Sequence, residues 1–463
     1  MIDTKALRSK VLDLAIQGKL TEQLESDGTA EELFAQIQEE KQKLIKEGKI
    51  KKEKPLPPVA EEEIPFEIPS SWKWVHMGEL FQHNTGKALN SSNTDGKMLE
   101  YITTSNVYWN KFDLTVIKQM PFTESEIEKC TITKGDLLIC EGGDIGRSAI
   151  WNFDYDMRIQ NHLHRLRAYL PDISNKFYYF IMKLYKEIGL IDGRGIGLQG
   201  FSSTRVHNLV IPLPPLAEQK RIVERVEEIF KLLDIIDEAQ AKYSADAETL
   251  KSKLITMGIQ GKLTEQLESD GTAEELFAQI QEEKQRLIKE GKIKKEKPLP
   301  PVADEEIPFE IPRGWKWCRL DDISEKIWAG RDKPDDFVTT KDETRTVPVV
   351  ANGVTNEGIL GYTSEATAPA NTITVAGRGT IGFVVFRQYD YCPIVRLIVI
   401  EQSKIIYAKF LQYFLKILPE SSVGSSTPQL TVPMIKPKPV PLPPLAEQKR
   451  ISDRLDEILR VIG

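Results

Sequence analysis

The strongest constraint on this chain is a run of apolar residues spaced alternately four and three apart. It follows the segment Pro212–Arg221 (PLPPLAEQKR) and takes in Ile222, Val226, Ile229, Leu233 and Ile236. It resumes with Tyr243, Ala247, Leu250, Leu254 and Met257, and only Gln240 breaks the row. Heptads at this spacing give one narrow apolar seam on a helix whose other faces are charged, which is the pattern of a coiled coil. A helix of about 45 residues would be roughly 65–70 Å long at 1.5 Å per residue, too long for one small domain to cover. It needs a second helix.

The ends of the chain supply one. Pro441–Arg450 repeats PLPPLAEQKR, and Ile451, Leu455, Ile458 and Ile462 continue at the same seam positions. At the start, Leu7, Val11 and Leu14 match Leu250, Leu254 and Met257. The last and first segments therefore each resemble one half of the central helix. A longer repeat goes with them: Ile16–Pro69 recurs as Ile259–Pro312, with Arg286 in place of Lys43 and Asp304 in place of Glu61 as the only changes. Identity this complete exceeds what packing demands. It points to duplication, with both copies serving the same partner surface. Within each copy a short helix ends near Gly18 or Gly261. A second, charged helix follows, then a linker of basic, proline-rich and acidic stretches.

Between the repeats lie two stretches with different sequences. Each has short β-rich runs and a glycine turn, Asp136–Trp151 in the first and Asn371–Val385 in the second. Each then has a strand with arginine (Arg165 and Arg167; Arg396) and an aromatic helix. The predicted fold class is α+β: two mixed α/β domains with twisted sheets, separated by a long antiparallel coiled coil, in a pseudo-two-fold circular repeat. The expected division is 1–71 (helix and linker), 72–211 (first variable domain), 212–314 (central helix and linker), 315–440 (second variable domain) and 441–463 (last helix). The expected seam is Leu7, Val11, Leu14, Ile222, Val226, Ile229, Leu233, Ile236, Leu250, Leu254, Met257, Ile451, Leu455 and Ile458.

Composition narrows the class. The net charge of −7 argues mildly against a nucleic-acid binder, and basic and acidic residues nearly balance in each variable domain. The four cysteines show no paired spacing and read as reduced thiols. No leader segment and no long apolar run is evident, so a cytoplasmic protein is the default expectation.

Catalytic motifs are missing. There is no Asn-Pro-Pro-aromatic motif for adenine methylation and no phosphate-binding Walker loop. Gly142–Gly146 lacks dinucleotide-binding spacing, and Pro334-Asp335 lacks the acidic and lysine partners of a nuclease. His162 and His164 share one strand face as a metal pair would, but no third ligand sits at suitable spacing, so no metal site is expected. Trp72, Trp74, Trp315 and Trp317 read as core anchors where linker meets domain. The PLPP segments read first as helix starts.

Duplicated helices carrying two unlike domains resemble the specificity subunit of a type I restriction–modification system. The marks are the paired PLPPLAEQ segments before heptad helices, the Gly-rich Ile-Gly hairpins and the circular half-repeats, and they cover nearly the whole chain. The resemblance implies that each variable domain reads one half of a split double-stranded DNA target. It implies that the helices form an antiparallel pair that fixes the spacer and docks two methyltransferase subunits. It also implies a chain without catalysis or membrane contact. S-adenosylmethionine, ATP and Mg would be held by the methyltransferase and restriction partners, and this chain would bind no cofactor.

Arginine and lysine read guanine best, while asparagine and glutamine read adenine. On that basis the candidate DNA-binding residues are polar loop positions. In the first domain they are Lys87, Asn90, Ser91, Ser92, Asn93, Asn106, Arg147, Arg194 and Gln199. In the second they are Arg331, Lys333, Asn352, Asn356, Arg378 and Gln429. The plain alternative for each is a solvated loop residue. Arg147 and Arg378 stand out because both occupy Gly-rich hairpins. A second class of function stays open, a coiled-coil adaptor whose two domains bind protein or glycan.

Overall fold

The computed structural model describes residues 1–89, 95–191, 200–418 and 429–462. The chain divides into two compact units, Met1–Ala241 and Lys242–Gly463. The division falls inside one continuous helix, so the first unit contains its beginning and the second its end.

In the first unit, helix α1 (Thr4–Ile16) starts at Asp3, whose carboxylate accepts from the Ala6 N–H at 2.9 Å. Helix α2 (Ala30–Lys46) opens with a capping box in which Thr29 and Glu32 satisfy each other's backbone N–H groups. Its apolar stripe of Ala30, Leu33 and Ile37 is buried in the unit's core. Gln38 and Lys41 donate to the carbonyls of Glu79 and Gly78, at 3.1 Å each.

The domain begins and ends at one antiparallel pair, Lys73–His76 with Val210–Leu213. Beyond it stand two four-stranded sheets. One is antiparallel throughout and runs Phe81–Thr85, Leu163–Ala168, Leu137–Cys140, Ser148–Ile150. The other runs Lys118–Phe122, Lys97–Ile102, Met157–Ile159, Thr131–Ile132, with its middle pair parallel. Helix α3 (Asn175–Glu187) brings Phe177, Tyr178, Phe180 and Tyr185 into the core. Helix α4 (Leu216–Ile259) follows. Its first part runs antiparallel to α1: Arg8 bonds Asp234 at 2.8 Å and Asp237 at 3.0 Å, while Gln23, after α1, reaches Glu218.

The second unit repeats this plan. The end of α4 plays the part of α1, and α5 (Ala273–Lys289) plays that of α2, with its capping box at Thr272 and Glu275. Lys316–Arg319 pairs with Pro439–Leu442. A four-stranded sheet runs Ser324–Ala329, Ile398–Gln402, Thr372–Val375, Val384–Arg387. A three-stranded one runs Ile359–Thr363, Val347–Val350, Cys392–Pro393. Helix α6 (Ala408–Lys416) supplies Phe410, Leu411 and Phe414. Helix α7 (Leu445–Ile462) returns antiparallel along the end of α4, where Ile451 and Leu455 close on Gly258. Among the described residues no helix is long and apolar enough to cross a membrane.

The seam differs from the heptad reading. Ile222, Val226, Leu233, Ile451 and Leu455 are buried, while Val11, Leu14, Ile229, Ile236, Leu254 and Ile458 are half-buried. Leu7, Leu250 and Met257 are exposed at 44%, 47% and 41%. The buried faces are instead Leu12, Ala15 and Ile16 on α1, and Ile255, Gly258 and Ile259 on α4. No residue from Asp234 to Leu254 is buried, which leaves Leu250 outside either core; around Leu7 and Met257 the segments do not serve one partner helix alone. Leu12 and Ile16 join the core that also holds Phe177, and Ile255 and Ile259 join the core of Trp315 and Leu411. A helix wedged between two neighbours buries a wider, rotated stripe than a coiled-coil seam.

The PLPPLAEQKR segments build the junction of each unit. Glu218 and Gln219 are 1% and 0% exposed, and Glu447 and Gln448 likewise. The Glu218 carboxylate accepts from the Trp72 indole at 2.8 Å and from Gln23 at 2.6 Å. Glu447 accepts from Trp315 at 2.8 Å and Gln266 at 2.9 Å. Gln219 donates to the Pro214 carbonyl and accepts from the Ser174 N–H, and Gln448 does the same with Pro443 and Tyr407. Arg221 pairs with Asp27 and Arg450 with Asp270, at 2.6 Å each. Burial pushes the Glu218 carboxyl above its ordinary range, against the pull of Trp72, Gln23 and Arg221. Removing this carboxylate strands buried donors, at roughly 1–3 kcal/mol for each. Glu218→Ala and Glu447→Ala are each expected to lower unfolding free energy by at least that much in urea titration. An unchanged midpoint would contradict the junction's role.

Candidate nucleic-acid interface

In the second unit, loops from distant parts of the sequence meet at one rim. The Ala376–Phe383 hairpin closes through Ala376 N–H to Phe383 O at 2.9 Å and Gly382 N–H to Ala376 O at 3.0 Å. A Cβ on Gly377 would lie 2.5 Å from the Leu430 carbonyl oxygen, so only glycine lets that strand pass. Arg378 follows, exposed, with its guanidinium 3.5 Å from the Gln429 side-chain oxygen. Asn352 staples the rim: its amide donates to Val395 O at 2.7 Å and its oxygen accepts from Gly377 N–H at 2.8 Å. Arg331 is exposed, and its backbone bridges Ile394. Lys333 is exposed with its ammonium 4.6 Å from the Phe337 ring centre, and Asn356 is exposed in a left-handed conformation (φ 48°).

The structure thus brings Arg331, Asn352, Arg378 and Gln429 together, but Asn352 is already bonded to backbone on both sides of its amide. It also adds Arg396, exposed next to Val395, which the sequence reading placed in a strand. Nothing in the local sequence distinguishes a strand arginine from a turn arginine here. Only the pairing of Ile394 with Arg331 does so.

In the first unit the candidates fare differently. Asn90, Ser91, Ser92, Asn93, Arg194 and Gln199 lie outside the described residues. Lys87 is 9% exposed, with its ammonium on the Pro121 carbonyl and the Glu126 carboxylate at 2.7 Å each. Asn106 is 7% exposed; it accepts from Thr103 N–H and donates to the carbonyls of Asp113 and Val116. Both are parts of the fold, with their hydrogen-bonding groups already engaged. Arg147 is half-buried, donates to Thr104 O at 2.6 Å and lies over the Tyr108 ring.

Backbone bonds also align the two glycine hairpins. Cys140 N–H donates to Arg147 O and Gly146 N–H to Cys140 O, as Ala376 and Gly382 do in the second unit. Arg147 therefore occupies the place of Phe383, while Arg378 occupies that of Gly142. The hairpins are equivalent but the two arginines are not.

Of the two strand arginines of the first unit, one is interior and one half-buried. Arg165 is 2% exposed and bonds Thr131 O at 2.6 Å, and burial pulls its guanidinium down to about 10. Arg167 forks onto Asp136. His162 is exposed and bonded to Glu141 at 3.0 Å, whereas His164 is fully buried. His164 Nε2 faces the Phe201 carbonyl at 2.8 Å and so carries the proton, leaving Nδ1 to accept from His83 Nε2 at 3.0 Å. Both His164 nitrogens are thereby engaged within the protein, so the two strand histidines do not form a metal pair. Among the described residues no cluster of three metal-ligating side chains is present.

Burial, with His164 and His207 alongside, pulls the His83 imidazole down from 6.5 to about 3. In that window the unfolded chain binds a proton that the folded chain does not, so stability falls as pH drops below 6.5. Melting temperature should decline between about pH 7 and about pH 5, and His83→Gln should make that decline shallower. Equal slopes for both chains would refute the assignment. Lys87→Ala should lower unfolding free energy by roughly 1–3 kcal/mol in urea titration, because Glu126 and the Pro121 carbonyl lose their partner.

Comparison with known proteins agrees with this geometry. A family model for the type I restriction modification DNA specificity domain matches residues 69–242 and 312–462. The chain is 31% identical over 412 residues to the type I restriction enzyme EcoAI specificity subunit of Escherichia coli, covering 76% of this chain and 68% of that one. It is 29% identical over 386 residues to the EcoEI specificity subunit of Escherichia coli, covering 70% and 63%. Its fold is similar to the HsdS subunit from Thermoanaerobacter tengcongensis, with a TM-score of 0.50 at 20% identity over 86% of this chain and 91% of that one. A chain solved in work on complex assembly and conformational transition of the type I R-M system gives a TM-score of 0.61 at 20% identity, covering 86% and 92%. With both of its domains matched, and the PLPPLAEQKR junctions included in each match, the chain belongs to the type I restriction–modification DNA specificity family.

Proposed function

We propose that this chain is the sequence-reading subunit of a type I restriction–modification complex, with one half of a bipartite DNA target read by each unit. The supporting observation is the contrast between frame and rim. The two frames repeat the same junction bond for bond, from Trp72, Gln23 and Glu218 to Trp315, Gln266 and Glu447. The rims carry different side chains on equivalent hairpins. One frame used twice with two unlike rims fits two readers better than one ligand site used twice.

In the second unit, Arg331, Lys333, Arg378 and Gln429 offer exposed donors suited to guanine, adenine or phosphate. In the first unit the half-buried Arg147, bonded through Nη2 to the Thr104 carbonyl, lies at the equivalent hairpin. Two methyltransferase subunits dock on the repeated helical frames and supply adenine methylation with S-adenosylmethionine. Restriction subunits supply cleavage with ATP and Mg. The chain itself contributes recognition and no chemistry.

The test is adenine-methylation mapping in cells expressing this chain with its methyltransferase subunits. A split motif is expected, and Arg331→Ala/Arg378→Ala should relax bases in one half only. Deleting one heptad from α4 between Gln240 and Leu250 should shorten the gap by about three base pairs, since seven helical residues span about 10 Å. It should leave both half-sites unchanged. A contiguous motif, or changes in both halves from the unit-two variant, would overturn this reading.

A further inference from the structure

Each unit carries a four-residue turn at the same place, leading into its central strand, with both central residues left-handed in the second unit only. In the first it is Gln160–Leu163, closed by Leu163 N–H to Gln160 O at 2.9 Å; in the second it is Ile394–Leu397, closed by Leu397 N–H to Ile394 O at 3.1 Å. The surrounding frame is also the same. Gln160 bridges Lys87 and Ile394 bridges Arg331, both in parallel sense. Asn161 N–H donates to Lys87 O at 3.0 Å, and Val395 N–H to Arg331 O at 2.9 Å. The residue before each bridge is a glycine that the turn crowds: a Cβ on Gly86 would lie 2.1 Å from Ile159 O, and one on Gly330 2.6 Å from the Pro393 backbone. Backbone bonds common to both units place the turn. Its two central side chains are free to differ, and they do: Asn161 and His162 in one unit, Val395 and Arg396 in the other.

The second turn is also strained. Val395 and Arg396 have φ of 53° and 59°, both left-handed. Two such residues in succession make the mirror-image turn that normally takes Asn-Gly, and a β-branched residue is among the worst suited to it. Val395 is 49% exposed, so it gains little from burial in return. The conformation is held from outside: Asn352 captures the Val395 carbonyl, and Arg396 N–H donates to Gly330 O at 3.2 Å. Because Asn352 also holds Gly377, the turn is pinned to the hairpin that carries Arg378. Strain retained by its surroundings at an exposed rim marks a functional position.

We propose that this turn is the base-reading tip of each unit: Val395 packs on a thymine methyl and Arg396 donates to a guanine in one half-site, while Asn161 and His162 read the other. The inference rests on the DNA-reading function proposed above. An apolar methyl pair beside a guanidinium suits a neighbouring thymine and guanine in the major groove, and the Asn161 amide suits adenine.

The experiment uses the full-length chain with its methyltransferase subunits and reads both melting temperature and methylation map. Val395→Asn/Arg396→Gly installs the pair that a left-handed turn prefers. Its melting temperature should equal or exceed that of the parent. Methylation of the parent motif should fall at least tenfold, or lose base preference within one half-site. Asn161→Ala/His162→Ala should alter only the other half, and Arg396→Lys should weaken the guanine position while keeping the fold. Parent-like maps from both double variants would overturn the proposal, whether or not the melting temperature moves. If the parent chain itself gave no split motif, the function proposed above would fail instead, so the two failures are distinguishable.

Discussion

Each unit depends on a carboxylate and an amide placed where water does not reach. Glu218 and Gln219, and again Glu447 and Gln448, lie on the first turn of a helix and bond to the leader segment, the indole at the domain's edge and the N–H preceding the aromatic helix. Four stretches distant in sequence are tied at one point. A buried polar group is tolerated only when its hydrogen bonds are met: the glutamates meet the same tryptophan and glutamine side chains in both units, and the glutamines meet backbone groups. That requirement accounts for PLPPLAEQKR better than helix initiation does. Proline sets the entry, but Glu, Gln and Arg are specified by their partners.

From this anchoring follows the separation of frame from rim. The strands entering and leaving each domain pair beside the junction, at Lys73–His76 with Val210–Leu213 and Lys316–Arg319 with Pro439–Leu442. The anchor's hydrogen bond beyond that pair goes to a backbone N–H, of Ser174 in one unit and Tyr407 in the other, which any non-proline residue supplies. The aromatic helices face the anchor, and the glycine hairpins belong to the variable sheets.

Much of this was legible in the sequence, because repeats and periodicity report backbone architecture directly. The long helix, the duplicated leaders and the equivalent hairpins all appear where spacing placed them. Side-chain roles were less legible, for a definite reason. Asparagine and lysine in loops mark places where the backbone leaves the sheet ladder, and there the protein's own carbonyl and amide groups compete for them. Asn106, Asn352 and Lys87 look like readers in one dimension and are staples in three. Arg396 shows the converse. Its neighbours spell a strand, and only a pairing across more than sixty residues turns the chain there. The seam failed in a similar way at Leu7 and Met257: heptad spacing describes two helices, whereas these segments meet a helix and a domain at once.

The near-identity of the two leaders has a genetic consequence. Ile16–Pro69 and Ile259–Pro312 correspond residue for residue, and Gly18 and Gly261 make the same close approach to Pro69 and Pro312. An unequal crossover between them stays in frame. One product joins the first leader to the second domain and α7, and it still holds the glutamine, tryptophan, glutamate and glutamine that a closed unit needs. The other gains a whole unit. Shuffling at this seam in the gene therefore keeps both the reading frame and the junction residues, and each variable domain travels as one cassette.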